Sequence, residues 1–91
     1  MKTQYIQKGN YEATELDGEW IILNTDQYTI TKLNDEGGHC WLLLNEVQTA
    51  DSLTKSLLER FSTTEKEQQV KKDIEEFLAN LFQLGLIEYV D

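Results

Sequence analysis

The sequence predicts an α+β fold of the winged-helix type, in which a three-stranded antiparallel sheet is followed by three helices and a short C-terminal wing strand. Strand-like alternation and hairpin signals fill residues 11–33, and helical periodicity replaces them from there on. The 91 residues contain no proline and suit a single domain. We expect residues 1–10 to be a flexible N-terminal segment and residues 11–90 to be the folded domain.

The first two predicted strands form a hairpin. Residues 11–16 alternate weakly, and Asp17-Gly18 is a strong signal for a two-residue turn. Residues 19–24 then hold four consecutive apolar side chains, which indicates a central strand buried on both faces. We expect Trp20, in this strand, to belong to the core.

The third predicted strand, residues 27–33, follows a turn at residues 24–26. Tyr28 and Ile30 lie on one of its faces, and threonines alternate with them on the other. Lys32, near its end, is typical of an edge strand, because a charged side chain discourages pairing with other chains. We therefore expect one side of this strand to be open.

Caps and apolar spacing predict the first two helices. Asn34 and Asp35 can cap a helix that runs to about residue 45, and the pair of glycines in its first turns indicates a close approach of another element, since glycine lowers helix propensity. Thr49 can cap the second helix. Trp41 in the first helix and Leu57 in the second are expected to be core residues.

The third helix is predicted to begin at a capping box of Thr64 and Glu67 and to end at Gly85 in a left-handed cap. Residues 86–90 then suit the wing strand. Apolar side chains spread over roughly 160° of this helix, wider than the usual stripe of ~100°. All of them can be core residues, or the surplus can line a groove for a partner. They are Val70, Ile74, Phe77, Leu78, Leu81, Phe82 and Leu84.

The charge of the chain limits its partners. Seventeen acidic against eight basic residues give a formal net charge of -9, which repels phosphate backbones and anionic membranes. We therefore expect no nucleic acid and no membrane partner, and a preference for basic partners. No apolar run approaches the ~20 residues of a membrane span, and the polar N-terminus does not resemble a secretory signal. A soluble, cytoplasmic protein is expected.

The sequence offers no constellation for catalysis or for a cofactor. His39 and Cys40 are neighbours on a helix and therefore point to different sides, and no further ligand spacing accompanies them. Adjacent carboxylates such as Asp35-Glu36 and Glu75-Glu76 likewise do not face each other. We expect no catalytic residues, no metal, no cofactor and no enzyme activity.

A set of apolar and turn residues recurs over nearly the whole chain, within residues 11–90. In this pattern the chain resembles the PqqD-like family, although the loop after the second strand lacks the glycine often found there. The residues that carry the resemblance are Asp17-Gly18-Glu19-Trp20-Ile21-Ile22-Leu23, Tyr28-Thr29-Ile30, Leu33-Asn34, Trp41-Leu42-Leu43, Asp73-Ile74, Phe77-Leu78, Leu81 and Gly85-Leu86-Ile87.

The resemblance implies a function. Members of this family are recognition elements for ribosomally made, post-translationally modified peptides. They bind the leader segment of a precursor and present its core to a leader peptidase or another modifying enzyme. The leader adds as a strand to the third strand, in the groove beside the third helix. A free-standing domain of this size is most similar to the leader-binding protein of lasso-peptide biosynthesis, and the acidic chain suits a basic leader.

Carried over onto this chain, the resemblance implies a leader-binding site made of the third strand and the third helix. Residues 29–31 would form the accepting edge, and the helix would supply pocket walls and charged borders. The implied site residues are Tyr28, Thr29, Ile30, Thr31 and Leu33 on the strand, and Val70, Lys71, Asp73, Ile74, Phe77, Leu78 and Leu81 on the helix.

Two other classes of function remain open at this stage. A winged-helix nucleic-acid-binding or regulatory protein shares the outline, but it requires a basic recognition helix, and here the lysines of the third helix are mixed with more numerous acidic residues. A small enzyme would require a nucleophile with its base, a Gly-rich loop or a metal cluster.

Overall fold

The computed structural model describes residues 2–9, 11–61 and 64–90. It confirms the α+β fold, with a three-stranded antiparallel sheet, three helices and a C-terminal strand. The elements of the described residues are β1 (Gln4–Gln7), β2 (Glu12–Leu16), β3 (Glu19–Asn24), β4 (Thr29–Leu33), α1 (Asp35–Leu43), β5 (Gln48–Thr49), α2 (Ala50–Arg60), α3 (Glu67–Gln83) and β6 (Ile87–Val90).

The predicted sheet is β2-β3-β4, with β3 in the centre and antiparallel pairing on both sides. The turn between β2 and β3 consists of Asp17 and Gly18, whose φ angles are 51° and 83°. Positive φ at both positions is the requirement of a type I′ turn, the geometry that matches the twist of the two strands. The hairpin signal in the sequence therefore predicted the turn, and the structure adds the register, in which Leu16 pairs with Glu19.

Helix α1 lies directly on the sheet because a glycine removes the side chain that would separate them. A Cβ atom on Gly38 would lie 1.9 Å from Cδ1 of Trp20, a distance that no real contact allows. The helix begins at Asn34, whose Oδ1 accepts a hydrogen bond of 2.7 Å from the backbone N–H of Gly37. The expected close approach is thus confirmed, and the Trp20 ring, half-buried rather than fully buried, fills the space at Gly38.

The caps of the other helices differ in part from the prediction. Helix α2 starts at Thr49 as expected, with a reciprocal capping box to Ser52. The predicted box of Thr64 and Glu67 is wrong: the N-cap of α3 is Lys66, with no side-chain cap hydrogen bond, because Glu67 is the first helical residue rather than the third. Gly85, with φ of 75°, ends α3 as predicted.

The C-terminus of α3 is a Schellman motif. The N–H of Gly85 bonds to the carbonyl of Phe82, and the N–H of Leu86 bonds to the carbonyl of Leu81. These bonds satisfy carbonyls that the helix would otherwise leave unpaired, and they reverse the chain into β6. Leu81 and Leu86 are both buried.

A second sheet, β5-β1-β6, includes residues for which the sequence predicted flexibility. Within residues 1–10, Gln4–Gln7 forms β1 and pairs with β6, the predicted wing. The N–H of Gln7 also bonds to the carbonyl of Leu44, and the N–H of Lys8 to that of Leu86. The prediction is therefore wrong for these residues, because their partner lies at the opposite end of the chain and leaves no local signal.

The core lies where α1, α2 and α3 meet the two sheets. Trp41 and Leu57 belong to it, as predicted. Among the described residues, no helix is long and apolar enough to cross a membrane. The buried apolar residues are Ile22, Cys40, Trp41, Leu44, Leu53, Leu57, Ile74, Leu78, Leu81, Leu86 and Ile87.

Substitution of Trp41 by alanine should cost about 3 to 5 kcal/mol of unfolding free energy, since the side chain is 2% exposed and its loss leaves a cavity. Leu42, its neighbour in α1, is 50% exposed, so Leu42→Ala should cost less than about 1 kcal/mol. Denaturant melts of the two variants test this difference. Equal midpoints would contradict the placement of α1.

Candidate functional site

Strand β4 is an edge, as predicted: in the described part of the chain it pairs with β3 on one side and with no strand on the other. The register of the neighbouring hairpin decides which backbone groups of β4 face outward. Leu16 and Glu19 close the two-residue turn, and the closing pair of such a hairpin exchanges hydrogen bonds. Alternate residues of β3, starting from Glu19, therefore direct their backbone groups to β2, and Ile22 directs its own to β4.

Ile22 is paired with Thr31, so the backbone groups of Thr31 are occupied by β3. Backbone groups of residues two apart in a strand point the same way, so those of Thr29 also face β3. The outward N–H and C=O groups of β4 are consequently those of Ile30 and Lys32. An extended peptide laid along this edge would hydrogen-bond to these two residues.

A groove separates β4 from α3. It exists because α3 packs on α2 and β6, whereas the helix that packs on β4 is α1. The groove has a volume of about 520 Å³ and mixes apolar and uncharged polar side chains with a single lysine. Its walls are Thr31, Lys32, Leu33, Asn34, Phe77, Asn80, Leu81, Gln83 and Leu84.

The residue that leads into β4 has an unusual backbone. Tyr28 has φ of 53°, which a bulky residue rarely adopts, and its side chain is 93% exposed. The preceding turn is fixed by the buried Asn24, whose Oδ1 accepts hydrogen bonds from the N–H groups of Asp26 and Gln27. The fold thus holds an aromatic side chain in solvent at the start of the open edge.

A second cavity, of about 270 Å³, lies between the three helices and adjoins the groove at Asn34 and Phe77, which line both. Most of its wall is apolar, and its charged members are all acidic. The lining residues are Asn34, Glu36, Gly37, Cys40, Leu57, Leu58, Phe61, Glu65, Val70, Asp73, Ile74 and Phe77.

Cys40 and His39 are both engaged within the fold. Burial raises the pKa of the Cys40 thiol to about 12, and the negative charge of Glu36 adds to the effect. Nε2 of His39 lies 2.8 Å from Oγ of Ser56, but the His39 ring packs edge-on against Phe61. Within the described residues, no group of three His, Cys, Asp or Glu side chains is placed to hold a metal ion.

Comparison with known proteins places this geometry in a family. The sequence model of the family described as "Coenzyme PQQ synthesis protein D (PqqD)" matches residues 19–87. The chain belongs to the PqqD family. The match runs from β3 into β6 and therefore includes the open edge and the whole of α3.

A solved structure, described as "TbiB1 in Complex with the TbiA(beta) Leader Peptide", has the same fold as this PqqD-family chain. The TM-score is 0.78, with 23% sequence identity, and the alignment covers 94% of this chain and 99% of the other. A comparison with curated proteins gives no match.

On the strand side, the predicted residues fall into distinct positions. Thr31 and Leu33 are half-buried and line the groove. Thr29 and Ile30 are exposed, Ile30 to 65%, on opposite faces of β4. Tyr28 precedes the strand. The backbone of Ile30, rather than those of the two threonines, faces the open edge.

On the helix side, the wide apolar stripe divides into two parts. Ile74, Leu78 and Leu81 are 3%, 0% and 1% exposed and belong to the core, although Leu81 also reaches the groove and Ile74 the second cavity. Val70 and Phe77 are half-buried at the edge of that core. Most of the stripe therefore packs in the core, and only one flank of it lines the groove.

The two charged residues of α3 that were predicted for the site, Lys71 and Asp73, lie in different surroundings. Nζ of Lys71 lies 2.8 Å from Oδ1 of Asp51, and Lys2 binds the other oxygen of the same carboxylate at 2.7 Å. Lys71 lines neither cavity, so the structure does not bring it to the groove; its helical position turns it toward α2. Asp73 lines the second cavity and accepts a hydrogen bond from Gln69.

Sequence reasoning missed several walls of the groove: Lys32, Asn34, Asn80, Gln83 and Leu84. Leu84 was part of the apolar stripe, and its exposure of 45% marks it as surplus to the core. Asn80 and Gln83 lie on the same flank of α3 but carry no apolar signal. Their position follows only from the angle at which α3 stands beside β4.

The Cys40 thiol should resist alkylation in the native chain. The pKa of the thiol is raised from 9.0 to about 12, so the thiol stays protonated at pH 9 in the folded state. In the unfolded chain about half of the Cys40 thiol is ionised at that pH. Iodoacetamide labelling at pH 9, with and without urea, measures this. Similar rates in the two conditions would contradict the burial of Cys40.

Proposed function

We propose that this chain binds the leader segment of a ribosomally made precursor peptide by strand addition to β4, and presents the peptide to a leader peptidase or another modifying enzyme. The observation that carries the proposal is an unpaired strand edge that faces a groove. Lasso-peptide biosynthesis is the pathway that the sequence resemblance favours. The protein then works in the cytoplasm, where precursors are made.

The edge and the groove suit an extended peptide for complementary reasons. Main-chain hydrogen bonds to Ile30 and Lys32 supply affinity that is independent of the peptide sequence. Side chains of the added strand alternate in direction, so every second one enters the groove toward Phe77 and Leu84. Those contacts select the sequence.

Two further facts support a peptide leader as the partner. The protein with the similar fold is described in complex with a leader peptide. The net charge of -9 favours a leader rich in lysine and arginine, and it opposes binding to nucleic acid. In this proposal the winged-helix fold recognises a peptide and does not read nucleic-acid bases.

The proposed role includes no reaction by the chain itself. Cys40 is buried and protonated, and His39 is engaged with Ser56 and Phe61. A chain of this design holds one end of the precursor while a separate enzyme acts on the other. Its contribution to rate is then proximity, since binding the leader raises the local concentration of the core peptide at the enzyme.

Leader binding should protect the amide hydrogens of Ile30 and Lys32 from exchange, because these are the donors that an added strand would use. Thr29 and Thr31 should change less, since β3 already occupies their backbone groups. Amide hydrogen exchange with and without a synthetic leader of the cognate precursor measures the difference. Protection confined to α2 or to β6 would refute the assigned edge.

Variants of Lys32 extend this test. Lys32→Pro removes an outward donor and should weaken leader binding by about three- to tenfold relative to Lys32→Ala, which loses only the side chain. Glu15→Pro is the matched control, because Glu15 faces outward by the same register on the other edge strand, β2. Equal affinities for the proline and alanine variants at Lys32 would contradict strand addition there.

Leu84→Ala should weaken the same leader by more than about 1 kcal/mol if the groove holds a side chain of the peptide. Leu84 is 45% exposed, so the change should leave stability nearly intact, whereas Leu81→Ala would damage the core. Phe82→Ala is the control: Phe82 is similarly exposed, at 39%, but stacks on Tyr89 away from the groove. Calorimetric titration measures the affinity of both variants for the leader. A larger loss of affinity for Phe82→Ala than for Leu84→Ala would contradict the assignment of this groove as the binding site.

A further inference from the structure

The cavity between the three helices is not needed for strand addition, yet it opens beside the place where an added strand would leave β4. Asn34 and Phe77 line both the groove and the cavity. Asn34 directly follows Leu33, the last residue of β4. A peptide paired along β4 therefore reaches the cavity with the residues that flank its paired segment on the Leu33 side.

The interior of the cavity is apolar. The rings of Phe61 and Phe77 and the side chains of Leu57 and Val70 are part of its wall, and each of them also packs on the core. The volume of about 270 Å³ has room for a side chain with a long apolar stem.

The acidic residues at the rim of the cavity favour a positively charged side chain. Glu36 in the first turn of α1 and Asp73 on α3 stand among the lining residues, and Glu65 adds a third carboxylate. Among the residues that the structure describes, no lysine, arginine or histidine lines it. Arg60 approaches from outside, with its guanidinium 6.0 Å from the centre of the Phe61 ring. The contact of Asp73 with Gln69 involves Oδ1 of the carboxylate.

An apolar interior with a negative rim matches one kind of side chain. Lysine and arginine bury their aliphatic stems against apolar walls while the charged head stays at the polar border. The head donates charge-assisted hydrogen bonds to the carboxylates at that border. An acidic side chain is repelled, and a leucine or a tyrosine forms no charge-assisted hydrogen bond with the carboxylates.

We propose that this cavity binds a lysine or arginine side chain of the leader, in the segment that flanks the added strand beside Leu33, and that Glu36 and Asp73 select it. The inference rests on the proposed leader-binding function and adds a specificity site to it. The helices, and not the strand edge, then recognise the charge of the leader. A leader that fits the groove but lacks the basic residue binds more weakly.

A display library of random linear peptides provides the probe. Selection against the unaltered chain should yield peptides with a shared apolar segment and with lysine or arginine enriched at one fixed flanking position. Selection against the double variant Glu36→Gln, Asp73→Asn should keep the apolar segment and lose the enrichment. Enrichment that persists unchanged in the double variant would overturn the assignment to this cavity.

Affinities of one selected peptide and of its Lys→Gln or Arg→Gln analogue make the test quantitative. The analogue should bind the unaltered chain about tenfold more weakly, and the two peptides should differ by less than about twofold on the double variant. The control is Glu59→Gln, Glu76→Gln, which removes the same charge from exposed positions of α2 and α3 outside the cavity. If this control abolishes the tenfold difference, the selection is by net charge and the cavity site is refuted.

The two proposals fail in different ways. If selected peptides leave the amides of Ile30 and Lys32 unprotected, strand addition fails, and the cavity site fails with it. If those amides are protected but no basic residue is enriched at the flank, strand addition stands and only the cavity site is overturned. The analogue peptide also serves as the folding control, because its affinity for the double variant should equal its affinity for the unaltered chain.

Discussion

The contact between Trp20 and Gly38 sets the arrangement of the other elements. Because position 38 has no side chain, α1 lies directly on β3 and β4, and the indole ring fills the space that a Cβ would need. With α1 in that place, α2 and α3 pack behind it, and α3 reaches β6 rather than β4. The edge of β4 is left uncovered, with a groove between it and α3. The edge itself is open because, among the described residues, no further strand pairs with β4.

Helix α3 serves two surfaces with one broad apolar stripe. The row of Ile74, Leu78 and Leu81 is buried and anchors the helix, while the adjacent flank, with Phe77 and Leu84, is only partly covered. A helix whose stripe matched the core alone would close against its neighbours and leave nothing for a peptide. The flank is held in place by its neighbours in the helix, which are buried in the core. A preformed wall of this kind lowers the ordering cost of binding.

Backbone strain lies immediately beside the open edge, and the net charge of the chain acts on the same peptide from a distance. Tyr28 is held with φ of 53° by the turn that the buried Asn24 organises, so the fold sustains an unfavourable conformation immediately before β4. A glycine would adopt such a φ at little steric cost. The acidic excess acts at longer range. It can attract a basic peptide before contact, an effect that salt weakens over a Debye length of about 8 to 10 Å.

The sequence by itself determined the elements whose signals are local. The turn at Asp17-Gly18, the caps at Asn34 and Thr49, the glycine that ends α3 and the central and edge positions of β3 and β4 all follow from neighbouring residues. The third helix cap was misjudged, because the Thr64 and Glu67 spacing matches a capping box while the helix starts later. The first residue of α3 depends on tertiary packing, which the spacing of Thr64 and Glu67 does not reveal.

Only the tertiary structure decided the long-range relations. Strand β1 depends on a partner at the far end of the chain, and Lys71 turns to Asp51 because α2 lies on that side of α3. The outward direction of Ile30 and Lys32 follows from the hydrogen-bonded pair that closes the hairpin, a fact of register rather than of composition. The helical cavity needs three helices at fixed angles. Local residues choose the elements, but the distances between elements come from packing that no single segment encodes.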